Sequence, residues 1–265
     1  MNWTPADVIT TDKYLSLDCS SIAYIKTDVL ILDRPIGWRG RHHDRRPAAM
    51  WITGHSDYPI TDALVEQYRG QWQKWATVNK DTDDAAVLAL PLGITNDCAD
   101  SPRHPIFGNV QVMWEVAQMP RTIRGLAYAN FDVGTYPSLR APLLGRLKGE
   151  MWVTVGSNLP TLEGRRQYLL DIRQHTFTFC PRGNGIDTHR LWETLYVGGI
   201  PIVERTRALR DFDDLPICWV DRFDDVNPEF LERERVRIGG RTDWNWAKLR
   251  IGYWQELIRR TIVSS

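Results

Sequence analysis

Residues 177–204, FTFCPRGNGIDTHRLWETLYVGGIPIVE, hold the pattern that decides the fold. An apolar β-rich run ends abruptly at Pro181-Arg182-Gly183-Asn184-Gly185, where glycines permit close backbone approach to a ligand. Asp187 or Thr188 then caps a helix whose first N–H groups and macrodipole favour an anion. Arg190 and Glu193 share one face of that helix, and Leu191 and Leu195 another. Gly198-Gly199 stops it, and Ile200-Pro201-Ile202-Val203 returns as a strand. The unit is strand, loop, helix, strand, with the loop at a strand's carboxyl end, where open α/β sheets bind ligands. A cation beside a helix N-terminus suits a diphosphate, and a carboxylate one turn on suits ribose hydroxyls. The same residues also fit a plain surface unit in which Arg190 and Glu193 pair for only ~0.2–0.5 kcal/mol.

Around this unit, short apolar runs alternate with amphipathic ones, as in a largely parallel α/β sheet. After about residue 121 the spacing predicts strands over 125–131, 151–155, 176–180, 200–203 and 217–220, with helices over 136–147, 162–173 and 188–197. Before it, strands are expected over 28–32, 48–53 and 86–90. A helix is expected over 61–78, where Leu64, Tyr68, Trp72 and Trp75 fall at helical spacing, and another over 109–118. Charged helical segments over 227–236 and 243–260 close the chain. The expected organisation is an N-terminal lobe over 1–120, a second lobe over 121–222, and C-terminal helices over 223–265 that pack back across the lobes.

The residues Cys180-Pro181-Arg182-Gly183, Arg190-Leu191-Trp192-Glu193 and Gly198-Gly199-Ile200-Pro201-Ile202 resemble the hallmark of the exostosin-like glycosyltransferases. The helix is similar, more loosely, to that of bacterial fucosyltransferases. Asn130-Phe131 and the run Thr135 to Arg140 look like the opening strand, loop and helix of the same lobe. The resemblance implies an α/β, GT-B-like fold: two Rossmann-like lobes, with a reduced N-terminal acceptor lobe and the nucleotide sugar held mainly by the second lobe. It implies that Arg190 meets the diphosphate, Glu193 the ribose, and Arg182-Gly183 the donor pocket. Asn184, Gly185, Thr188, Asn130, Thr135 and Arg140 complete the candidate donor-binding set. The implied reaction is sugar transfer with inversion from a nucleotide sugar, a UDP-sugar favoured, to a glycan, a lipid-linked glycan or another hydroxyl. The nucleotide sugar is a co-substrate, and neither cofactor nor metal is expected. The alternative is a non-catalytic module that binds a nucleotide sugar or glycan.

Inverting transfer needs a base near the acceptor hydroxyl. Gly54-His55-Ser56-Asp57-Tyr58 follows a predicted strand, which places Asp57 first and His55 second as candidates, against an Asx-type turn with an exposed histidine. The basic run Trp38 to Arg46 suits a phosphate-bearing acceptor, such as a lipid-linked glycan or a modified nucleic acid, and equally an ordinary solvated loop. His42-His43 lacks the spacing of a metal site. Asp81-Thr82-Asp83-Asp84 precedes a strand and reads as a turn, as do Asp213-Asp214 and Asp224-Asp225.

Composition narrows the classes. Lys+Arg 33 balances Asp+Glu 33, so no overall field draws the molecule to nucleic acid or an anionic membrane, and any anion site is local. Cys19, Cys98, Cys180 and Cys218 form no metal-type pair, and a reducing compartment fits them. The twelve tryptophans are read mostly as packing residues. With no secretory signal at the start and no long apolar run, the expected setting is cytoplasmic; set beside the resemblance, whose eukaryotic members are membrane-anchored, this implies a bacterial or viral enzyme. No Gly-x-Gly-x-x-Gly fingerprint supports a dinucleotide enzyme.

Overall fold

In the computed structural model, which describes residues 3–15, 17, 20–31, 47–97, 101–157 and 159–263, the apolar runs build two main parallel sheets. The first contains β1 (Ile22–Lys26), β2 (Ala48–Gly54), β4 (Trp72–Thr77) and β6 (Val87–Ala89), in that spatial order. Strands β3 (Ile60–Thr61) and β5 (Lys80–Asp81) pair separately as a short parallel ribbon. The second sheet contains β7 (Gly125–Ala129), β8 (Val153–Val155), β9 (His175–Phe179), β10 (Ile200–Glu204) and β11 (Cys218–Val220), in the order β11-β10-β9-β7-β8. From β7 the chain steps outward to β8, then returns to the other side of β7 as β9. That reversal makes the gap between β7 and β9 the topological switch point, where an open α/β sheet leaves a crevice beyond its strand ends.

Ten α-helices are described: α1 (Thr11–Tyr14), α2 (Thr27–Ile31), α3 (Asp62–Gln67), α4 (His104–Phe107), α5 (Val110–Gln118), α6 (Pro137–Leu147), α7 (Leu162–Gln174), α8 (His189–Tyr196), α9 (Pro228–Gly240) and α10 (Ile251–Val263). Strand β9 is buried along nearly its whole length, as expected of a central parallel strand covered on both faces. The two lobes share one continuous core, in which Ile52 and Val78 of the first join Leu191 and Trp192 of the second. Both chain ends contribute to that union. The Trp3 indole donates to the Tyr196 carbonyl at 3.0 Å, and the Tyr196 hydroxyl accepts from the Ile9 amide at 2.9 Å. Helix α10 packs against α1 and β4. Trp192, Phe212 and Trp254 meet edge to face, as do Trp51, Trp72 and Trp75. The buried tryptophans are therefore packing residues, whereas Trp246 is exposed.

Three expectations for the chain's course need correction. Residues 28–31 lie in helix α2, and the edge strand is the preceding run, Ile22–Lys26; Leu32 lies outside the described residues. The segment expected as one helix over 61–78 is the short helix α3 followed by the internal strand β4. Gly70, at φ +88°, ends the helical path, and pairing with β2 and β6 on either side fixes the rest as strand. Helical spacing of Tyr68, Trp72 and Trp75 is thus incidental: Trp72 and Trp75 pack in the core from a strand. The last helix is interrupted. Trp246–Leu249 form a 3-10 turn, Arg250 is extended, and α10 follows. Helix α5, which precedes Pro120, packs against α7 and α8.

Candidate functional site

Both main sheets turn their carboxyl ends toward a cleft of about 1330 Å³. Lys26, Gly54, Val78 and Leu92 line it from the first sheet, and Asp132, Thr135, Gly183 and Gly185 from the loops at the switch point of the second. Arg140 builds that second wall. Its side chain is buried, and every nitrogen of its guanidinium faces an acceptor in the loops. Nε donates to the Arg182 carbonyl at 2.8 Å, Nη2 to the Pro181 carbonyl at 3.0 Å, and Nη1 to the Asp132 carbonyl at 2.9 Å and the Thr135 hydroxyl. One guanidinium therefore ties the loop after β7 to the loop after β9. Gly183 packs closely on this guanidinium: a Cβ there would lie 3.2 Å from Arg140 Nη2 and press on the bonded side chain.

Two further arginines face the cleft. Arg165 on α7 is 1% exposed and bonds Glu193 Oε1 at 2.8 Å, while its Nε and Nη2 have no partner. Arg190, on the first turn of α8, likewise has a buried, unpartnered Nε. Thr188, the N-cap of α8, makes no side-chain bond to that turn. Phe131 lies against both Arg140 and Arg190, with centroid distances of 5.8 and 6.0 Å. Burial, and then the nearby charge of Arg190, pushes the Arg140 guanidinium down to about 10. Burial also opposes the charge on Arg190, but Tyr168, Cys180 and Glu193 outweigh it and hold Arg190 above its ordinary value. Three arginines thus converge on one cleft wall, two of them with buried donors that have no partner, an arrangement that favours an anion.

Glu193 does not present a free carboxylate to this wall. Oε1 takes Arg165, and Oε2 accepts the Tyr168 hydroxyl at 2.8 Å. Burial works against its charge, but Arg165, His189, Tyr168 and Arg190 prevail and hold it below the usual carboxylate range. The pairing is with α7, so the Arg190–Glu193 pair of the alternative surface reading is not the contact formed.

Across the cleft, His55 stands just past β2 at φ +55°, with Nε2 2.6 Å from Asp12 Oδ1. Asp57 is exposed and reaches the opposite loop: a Cβ on Gly185 would come within 3.2 Å of Asp57 Oδ1. Asp187 joins the lobes. Its buried carboxylate accepts the Leu92 amide at 2.8 Å and the Trp192 indole at 2.8 and 3.0 Å. Burial pushes that carboxyl up to about 7, against the pull of those donors. His189 Nδ1 lies 2.8 Å from the Gly93 carbonyl, and burial lowers its pKa.

Of the candidate residues, Gly183, Asn184, Gly185, Thr188, Arg190, Glu193, Thr135, Arg140, Asp57 and His55 all line this cleft. Arg182 and Asn130 do not. The Arg182 guanidinium lies over the Tyr136 ring at 4.5 Å and donates to the Asn184 carbonyl at 3.0 Å. Asn130 is buried, donating to the Tyr128 hydroxyl at 2.9 Å and the Ser157 carbonyl at 3.3 Å. Both hold loop structure. Arg165 and Tyr168 were not foreseen, although their spacing with Leu169 and Ile172 puts a charge on the buried face of α7, which is itself a signal. Asp12 and Asn79 left no comparable trace. Trp38 to Arg46, including His42-His43, and both Cys19 and Cys98 lie outside the described residues. Cys180 and Cys218 are buried and free, as small apolar-run thiols should be.

Of the acidic runs expected as turns, Asp213-Asp214 form one, Asp224-Asp225 lie in a 3-10 helix, and Asp81 belongs to β5 with residues 82–84 in the loop after it; several anchor surface cations. Asp83 bonds Arg210, Asp84 holds Arg69 and the Ala86 amide, and Asp214 bonds Lys248. Among the described residues, no group of His, Cys, Asp or Glu is placed to hold a metal ion, and no helix is long and apolar enough to cross a membrane.

The chain matches no family model and no curated protein. Its structure is similar, at a TM-score of 0.41 in each case, to three solved structures. One is an α,α-trehalose-phosphate synthase (UDP-forming) from Burkholderia vietnamiensis, at 11% identity over 83% of this chain and 66% of that one. The second is an α,α-trehalose 6-phosphate synthase from Burkholderia multivorans, at 9% identity over 82% and 66%. The third is an α1,3-fucosyltransferase, at 13% identity over 94% and 93%. The chain spans 66% of the length of the two synthases. Two parallel Rossmann-like sheets facing one cleft give the molecule a GT-B-like α/β architecture.

Proposed function

We propose that this chain is a glycosyltransferase that takes its sugar from a nucleotide-sugar donor. One observation carries the reading: Arg140, Arg165 and Arg190 all line the cleft at the switch point of the second sheet, and Arg165 and Arg190 keep buried guanidinium nitrogens that have no partner. A nucleoside diphosphate supplies what those groups lack, several charge-assisted acceptors on one compact anion. Glu193 acts there as a positioning anion for Arg165 and Tyr168, in place of a free acceptor for the ribose.

In the proposed reaction, an exposed carboxylate on the first lobe, Asp57, accepts the proton of an acceptor hydroxyl, most simply a sugar hydroxyl of a glycan. The freed oxygen pair attacks the anomeric carbon from the face opposite the diphosphate, and the bond from that carbon to the phosphate oxygen breaks. The nucleoside diphosphate leaves with the electron pair. Charge grows on it as it leaves, so arginines fixed beforehand stabilise the transition state more than the ground state. Arginine provides this neutralisation without a bound metal in the proposal, and EDTA should leave turnover intact.

Incubation with UDP-, GDP- and dTDP-sugars, each with and without glycan acceptors, tests the reading. Release of a nucleoside diphosphate, accelerated by acceptor, is expected, and the matching nucleotide should raise Tm by mass action. If no nucleotide raises Tm and none is released, the proposal fails.

A further inference from the structure

The two loops that face each other across the cleft are joined through one side chain, Asn79. It follows the internal strand β4, is 3% exposed, and adopts φ +53°. Left-handed backbone disfavours most residues with a Cβ, and asparagine tolerates it best among them. Each end of its amide is used. Oδ1 accepts the Asp187 amide at 2.8 Å, on the loop that opens α8. Nδ2 donates to the Ser56 carbonyl at 3.3 Å, in the middle of the loop after β2. The backbone carbonyl of Asn79 also accepts the Ile60 amide at 3.0 Å, where that loop ends. One residue therefore holds residues 56 and 60 of one wall and residue 187 of the other. A Cβ on Gly185 would come within 3.3 Å of Asn79 Nδ2 and 3.2 Å of Asp57 Oδ1, so these groups are already in close register.

We infer that Asn79 is a positioning residue that sets the His55–Asp57 loop against the arginine-lined loop, fixing the distance from base to leaving group. The inference rests on the transfer reading above. Its physical basis is that the two walls must hold their spacing in the reacting complex, where a displacement of about 1 Å can cost ~10²-fold in rate. Asparagine alone among residues of this size offers an acceptor and a donor in fixed opposition. Aspartate would keep the acceptor for the Asp187 amide, lose the donor to Ser56, and add charge beside a buried carboxylate.

Hydrogen exchange and kinetics on two variants provide the test. Asn79→Gly keeps the left-handed backbone accessible and removes only the amide. Amides of residues 55–58 and of 184–188 should both exchange faster in it, while β2 and β4 keep their protection. Asn79→Asp should loosen 55–58 and leave 184–188 protected, and it serves alone should the glycine variant not fold. With the nucleotide sugar that the wild type turns over, kcat should fall at least ~10-fold in Asn79→Gly while the donor KM changes by less than about threefold, since Asn79 bonds to none of Arg140, Arg165 and Arg190, which carry the diphosphate. Unchanged exchange at 55–58 in a folded variant overturns the inference, as does a rise in donor KM with kcat unchanged. The exchange arm is independent of catalysis, so a wild type that releases no nucleotide defeats the transfer reading without deciding the role of Asn79.

Discussion

The loop after β9 and the loop after β2 occupy equivalent places, each at the carboxyl end of a parallel strand, but they are held in different ways. The first is fastened from within. Arg140 is buried beneath it and spends its guanidinium on the Asp132, Pro181 and Arg182 carbonyls and the Thr135 hydroxyl. The second is fastened from its rim, by Asn79 and by a His55–Asp12 contact whose side chains are 27% and 45% exposed. The contrast fits the two chemical tasks proposed for the loops. Cations that are to grip a diphosphate must be desolvated and fixed in advance, which requires a frame of hydrogen bonds. A base that meets an incoming hydroxyl must reach solvent, and a single side chain on a short loop suffices.

The widest gap between the two loops should appear in turnover. Asp57→Asn is expected to lower acceptor-dependent turnover by ~10²–10⁴-fold, the usual worth of a general base, with nucleotide affinity preserved. A larger loss in His55→Ala than in Asp57→Asn would move the base to the Asp12–His55 pair. Near-normal rates in both would remove the base from this loop.

On the other wall, the expected effect is on stability. Glu193→Gln leaves Arg165 buried without its counter-charge and should cost about 3 kcal/mol or more, read from urea midpoints. It should weaken nucleotide binding as Arg165 and Tyr168 lose their setting. A stability change within a few tenths of a kcal/mol would mean the pair is not the strut described.

Asp187, between the walls, should matter least for turnover and should show itself in pH dependence. Its carboxyl is raised to about 7 in the folded chain, from about 3.9 in an unfolded one. A raised folded value gives a stability contribution that is full below about pH 4 and lost as pH climbs to about 7. An asparagine in its place does not titrate in that window. The deficit of Asp187→Asn relative to wild type should therefore be greatest near pH 4 and narrow toward pH 7. A gap that stays constant across that range contradicts the assignment.

How much of this was legible in the sequence follows the same division. The strand, loop and helix around Cys180 to Glu193 were readable because a fastened loop imposes glycines and fixed spacing on the chain. Strand β4 was not, because Tyr68, Trp72 and Trp75 mimic a helical stripe, and only Gly70 and the neighbouring strands decide against it. Glu193 lines the cleft, but its partner Arg165 sits on another helix, and no spacing along α8 reports that. Arg182 and Asn130 carried the motif and turned out to brace the loop instead of lining the cleft. Asn79 and Asp12 act through tertiary hydrogen bonds from otherwise ordinary positions, which leave no periodic mark.

The central claim is that the arginine wall at the switch point binds a nucleoside diphosphate, and calorimetric titration of UDP and GDP into wild type and Arg190→Ala tests it most directly. Wild type should bind at least one of them, with affinity falling as salt rises. Arg190→Ala, folded and with its Tm within a few degrees of wild type, should bind that nucleotide at least ~10-fold more weakly, a loss of about 1.4 kcal/mol or more for a charge-assisted bond. Equal affinity in the two proteins, or no binding of either nucleotide to wild type, would contradict the account.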